Sequence, residues 1–117
     1  MIPEFNESEE LIKYADSNNL FLDLVLQLKK DFALANLTLD LPADCNPDEL
    51  KYLLQKNIQF LIEEKFSDFL TLLYIVDLPE NTARQILDTE KQNISDHYTF
   101  LILKRVWQKV WFRKQYK

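Results

Sequence analysis

Residues 44–48 read Asp44-Cys45-Asn46-Pro47-Asp48 and place oxygen donors at alternate positions, as the first half of a calcium loop does. The pattern then fails. The sharp-turn glycine position holds Glu49, the bidentate glutamate position holds Gln55, and Pro47 stiffens the loop. A helix N-cap accounts for the same residues. His97 is the one histidine, and Ile94 stands three residues before it, so the paired Glu-x-x-His sets of di-iron bundles cannot form. Its place beside Asp96 fits the first turn of a helix. Cys45 is the single cysteine, which excludes an intrachain disulfide and a cysteine zinc site. Its acidic neighbours disfavour the thiolate that a nucleophile needs. Among the many carboxylates, Asp68 and Asp77 flank the most apolar stretch and are the least solvated candidates for paired-carboxylate hydrolysis. No spacing in the sequence brings them together.

The chain contains no glycine. Glycine supplies positive φ in phosphate loops, dinucleotide turns and the nucleophile elbow, so those motifs are absent. The glycine-bearing RNA modules are excluded on the same ground. The expectation is a protein that is not an enzyme and takes no cofactor, metal or small-molecule substrate.

One element departs from the ordinary. Residues 1–95 carry 8 Lys/Arg and 18 Asp/Glu, a net of −10, whereas residues 96–117 carry six cations against Asp96 alone, a net of +5. At 100° per residue, Phe100, Leu103, Val106, Trp107, Val110 and Trp111 form one broad apolar stripe that docks on the body. The opposite side bears Tyr98, Leu101, Ile102, Phe112 and Tyr116, interleaved with Arg105, Lys109 and Arg113, which step by four. Aromatic rings mixed with arginine are typical of interface hot spots. This makes Arg105, Lys109, Phe112, Arg113 and Tyr116 the expected contact residues for a protein partner or a second copy. Nucleic acid is a weaker alternative, because the chain as a whole is acidic. An acidic neutraliser of a basic target, as in toxin–immunity pairs, is another. The plainest reading is that both sides are buried and the basic residues meet the acids of their own chain.

The elements that position these residues are helices. A first helix spans about Glu7 to Ser17 and a second about Leu20 to Ala35. In the second, Phe21, Val25, Leu28, Phe32 and Ala35 recur with core-facing spacing and Lys29, Lys30 and Asp31 form a solvated side. Leu37, Leu39 and Leu41 alternate with polar residues, but with no clear second strand they read as an extended linker. Asn46 as N-cap and Pro47 at the first helical position open a third helix to about Glu64. A break at residues 63–68, with Ser67 as the new cap, leads to a fourth helix apolar nearly all round, the expected central buried element; one unbroken helix from Asp48 to Val76 is the alternative. A fifth helix covers about Pro79 to Lys91, and the last runs from about Ser95 to Gln115.

With 117 residues, 47% apolar and 28% charged, the chain suits one globular domain. The fold class is all-α, a compact bundle of about five to six helices without significant β-sheet. The first residues lack the basic and apolar regions of a signal peptide, and no apolar run spans a bilayer. With one cysteine, a cytoplasmic setting and no membrane partner are expected.

Overall fold

A computed structural model describes residues 3–78 and 91–116. Among these it contains five helices and no strand: α1 Ser8–Ser17, α2 Phe21–Leu34, α3 Pro47–Glu64, α4 Phe66–Ile75 and α5 Lys91–Gln115. The all-α class is as expected. The helix expected over residues 79–91 lies almost wholly outside the described residues.

Three of these helices end in the same way. After α1, Asn19 takes φ 59°, its N–H donates to the Asp16 carbonyl and the next N–H, of Leu20, reaches back to Ala15 at 2.8 Å. After α2, Asn36 takes φ 60° and Leu37 donates to Phe32 at 2.9 Å. After α4, Asp77 takes φ 64° and Leu78 donates to Leu73 at 2.8 Å. Each is a Schellman cap, in which one left-handed residue turns two N–H groups back onto orphan carbonyls. Glycine is the usual residue there; Asn and Asp tolerate the conformation best among the others. The following residue is a leucine each time, and it folds back onto the core.

The start of α3 is a complete capping box. Glu49 donates its N–H to Asn46 Oδ1 at 3.0 Å, and Glu49 Oε1 accepts from the Asn46 N–H at 3.2 Å, with Pro47 at the first helical position. Of the donors that resembled a calcium loop, Asn46 is thus committed to the helix start and Asp48 lies in its first turn. The break after α3 is a single residue, Lys65, at φ −141° and ψ 57°. It ends one helix and begins the next, which excludes an unbroken helix. Ser67 lies inside α4 rather than capping it, and its carbonyl accepts from Thr71 Oγ1.

The extended linker tucks Leu39 and Leu41 into the core. Among the described residues it has no strand partner. Instead the Asn57 amide of α3 does a strand's work: its Oδ1 accepts from the Asp40 N–H at 3.2 Å and its Nδ2 donates to the Asp40 carbonyl at 3.3 Å.

The central element is α5, not α4. α5 packs on α3, α2 and α1, and buries Ile94, Tyr98, Ile102, Leu103, Val106, Trp107 and Val110. α4 buries Phe69, Leu72 and Leu73 on one side and leaves Tyr74 at the surface. No break occurs at residues 93–96; Ile94 and Ser95 are buried inside a continuous helix, and Thr99 Oγ1 donates to the Ser95 carbonyl at 2.6 Å. Rings lock α5 in place. Trp107 meets Tyr14 edge-on at 5.8 Å, and Tyr98 meets Phe69 edge-on at 5.2 Å. Burial pushes the Tyr98 phenol up to about 12.

The left-handed caps give a direct stability test. Asn36→Gly should stabilise the protein by about 0.5–1 kcal/mol, since glycine occupies this conformation at lower cost. Asn36→Val should destabilise it, because a β-branched residue strains there. Urea unfolding of the two variants measures both.

Candidate interaction face

Arg105, Lys109 and Arg113 form one ridge on α5, and each bonds to a group of its own chain; Arg105 and Lys109 keep about a third of their side-chain surface and Arg113 is exposed. Arg105 Nε donates to the Val76 carbonyl at 3.2 Å, and its Nη2 pairs with Asp77 at 3.0 Å. The guanidinium therefore fastens the last carbonyl and the left-handed residue that close α4. Lys109 Nζ pairs with Asp31 of α2 at 2.8 Å, and Arg113 Nη2 donates to Gln27 Oε1. Gln27 Nε2 in turn donates to Asp31 Oδ1 at 2.9 Å. These bonds make one polar seam, Arg113–Gln27–Asp31–Lys109.

Asp31 is only 1% exposed, which corrects its expected place on the solvated side of α2. The reason is geometric. Gln27 and Asp31 are one turn apart, at the margin of the core stripe, and α5 covers that margin. A buried carboxylate is tolerable there because an ammonium and an amide meet both its oxygens.

Phe112 and Tyr116 have a different place. They stack on each other, with centroids 6.2 Å apart and ring planes 19° apart, and they are 48% and 82% exposed. Tyr98 and Ile102, expected on the same outer side, are buried.

The rings share their face with α2. Gln27 meets Arg113, and Asp31 four residues on meets Lys109 four residues back, so the helices run antiparallel. At about 100° per residue, Leu26 and Phe112 each stand about 100° from the bonded residue of their own helix, on the side away from the core. Antiparallel packing turns those two sides the same way. With about 1.5 Å of rise per residue, Leu22, Leu26, Phe112 and Tyr116 fall within about two turns of one another. Leu22 and Leu26 are 67% and 54% exposed. Four large apolar side chains therefore occupy one two-helix face. The sequence reading missed both leucines. Their signal is an i, i+4 pair on the side opposite the core stripe, in a helix with more leucine than one stripe needs.

The remaining candidates for chemistry are structural or scattered. Cys45 Sγ contacts the Asn46 carbonyl at 3.7 Å, and burial, then the Glu49 charge, pushes its thiol up, away from the reactive thiolate. Asp77 is the partner of Arg105, while Asp68 lies in the first turn of α4. Among the described residues, no group of three or more His, Cys, Asp or Glu side chains is placed to hold a metal ion, and no helix is long and apolar enough to cross a membrane. A cleft of about 540 Å³ between the linker and α3 is lined by Asp40, Lys56, Asn57, Phe60 and Lys65 among others, and Asn57 is already bonded within it.

On the far side of the bundle, Lys51 of α3 bridges Glu9 of α1 at 2.7 Å and Asp96 of α5 at 3.1 Å. The hydrogen bond from Lys51 holds the Glu9 carboxyl below its ordinary 4.5. The bond to Glu9, then that to Asp96, holds the Lys51 ammonium above its ordinary 10.5 despite desolvation.

No family model, curated protein or solved structure matches this chain.

Two predictions follow from the ion pairs. Lys109→Met strands the Asp31 carboxylate and should cost about 2–4 kcal/mol, below the largest buried-pair losses because Lys109 is one-third exposed; adding Asp31→Leu should recover most of it, read by chemical denaturation. The Lys51 bridge should show itself in pH. Glu9 is depressed, so its stabilisation is present above pH 4.5 and lost as pH falls through its lowered value. Lys51 is elevated, so its stabilisation is present below pH 10.5 and lost as pH rises through its raised value. The stability difference between wild type and Lys51→Met should therefore be flat between those limits and shrink beyond each.

Proposed function

We propose that this chain is a non-enzymatic helical module that works by binding a protein through the α2/α5 face. The observation that carries the reading is the exposure of Leu22, Leu26, Phe112 and Tyr116 on a single face. Contiguous apolar groups with a polar rim are the usual mark of a protein-binding surface, and aromatic rings dominate binding energy there. The rim holds Asp23, Lys30 and Arg113. Arg105 and Lys109, also expected as contact residues, are bonded within the chain; they brace α5 against α2 and α4, and so hold Phe112 and Tyr116 in position. The lone, unreactive cysteine supports a reducing, cytoplasmic setting.

The nucleic-acid alternative draws on the same helix, whose ridge cations are each also bonded within the chain, to Val76, Asp77, Asp31 and Gln27; we favour a protein partner because the exposed rings lie beside exposed leucines. A second reading, neutralisation of a basic protein, draws on the body itself. Residues 3–78 hold 15 acids against 6 cations, and only some of those acids face α5. Such binding would fall steeply with salt and would survive changes at the apolar face.

The test is photo-crosslinking in the native cell with the probe at Lys30, on the rim. Wild type should give a discrete protein adduct. Leu26→Glu with Phe112→Glu should abolish it while helix content and thermal midpoint stay unchanged, because both positions are exposed. An adduct that persists in the double variant, or none in wild type, contradicts the proposal.

A further inference from the structure

We infer that the occupant of the α2/α5 face is a second copy of this chain, related by a twofold axis; this rests on the reading of that face as a protein-binding surface. The argument is self-complementarity. Asp23 and Lys30 are both exposed on α2, seven residues apart, one on each side of Leu26. At about 100° per residue they differ by only about 20° around the helix, so they lie on one ridge. Neither belongs to an ion pair among the described residues.

Consider a twofold axis in the plane of the face, across α2 at the level of Leu26. It lays α2 antiparallel on its copy, with facing positions whose numbers sum to about 53. Asp23 then faces Lys30 of the partner subunit, twice, and Leu26 meets its own copy on the axis. The same axis crosses α5 at the level fixed by the Gln27–Arg113 bond, where facing positions sum to about 227. Phe112 then faces Tyr116 of the partner subunit, again twice. One axis thus matches the α2 charges and both rings; it also brings Arg113 to the level of Lys114 of the partner subunit, a repulsion that keeps the association weak.

The size of the face sets the strength. α2 is 14 residues long, or about 21 Å, and two helices side by side span about 20 Å. The resulting area is about half of the roughly 800 Å² per partner that a standard interface buries. The dimer should therefore be weak, dissociating at roughly micromolar concentrations or above.

Analytical ultracentrifugation of the full chain tests this, run at low salt from about 5 to 500 μM. Wild type should show a monomer–dimer equilibrium. Leu26→Glu should be monomeric throughout. Asp23→Lys and Lys30→Asp should each weaken association about tenfold, since each sets like charges together twice, and the double swap should restore it to within about threefold. Melting curves identify any variant that fails to fold, and Lys30→Asp, at an exposed mid-helix site, carries the test if Asp23→Lys does not. A monomer at every concentration, a dimer indifferent to Leu26→Glu, or a swap that fails to restore would overturn the dimer. If wild type is monomeric yet Leu26→Glu with Phe112→Glu still abolishes a cellular adduct, the dimer falls and the protein-binding reading stands. If neither changes, both fall.

Discussion

The contact between Lys109 and Asp31 joins the two halves of an uneven charge distribution. The body of the chain holds nearly all the acids, and the last helix holds a surplus of cations. Left apart, each would repel itself. Folding inserts the cationic helix among the acidic ones, and where the seam is deepest a nearly inaccessible carboxylate meets an ammonium at 2.8 Å. Lys51 repeats the theme in reverse, a cation of the body placed between two acids, one of them on α5. Such pairs offset their own desolvation only in part, so their chief effect is on register. They fix which edge of α5 faces α2, and thereby which rings are left outside.

That register decides where a binding surface can be. A ridge of Arg and Lys on a helical wheel looks like an outward face, and the distances show it to be a set of braces. The braces leave Phe112 and Tyr116 beside Leu22 and Leu26. Apolar exposure of this kind gains nothing for the monomer. On the proposed reading it is a surface that functions when covered.

Much of the fold was legible in the sequence because its signals are local. Asn46-Pro47-Asp48-Glu49 encodes a helix start through side chains that bond within one turn. The alternating leucines of the linker reach the core as their pattern suggests. The three Schellman caps were also written there, as Asn19-Leu20, Asn36-Leu37 and Asp77-Leu78. Without glycine these were read only as breaks, although Asn and Asp are the natural substitutes at a left-handed position. What could not be read was pairwise. The apolar count of α4 suggested a buried core element, whereas α5, whose apolar residues are diluted by cations, is the one surrounded by other helices. Periodicity placed Asp31 with its lysine neighbours, since only α5, 78 residues away, makes burial tolerable there. The proposed interaction face depends on the same long-range pairing, so the sequence showed its α5 half and hid the α2 half.

The central claim is that Lys109 is held against Asp31 while the face beside it is open. Lysine acylation of the native protein with a water-soluble reagent, followed residue by residue by mass spectrometry, tests it most directly. Lys109, held against Asp31, should react about fivefold or more slowly than Lys30 and should reach the rate of Lys30 only on unfolding. Equal native rates at the two lysines would contradict the account.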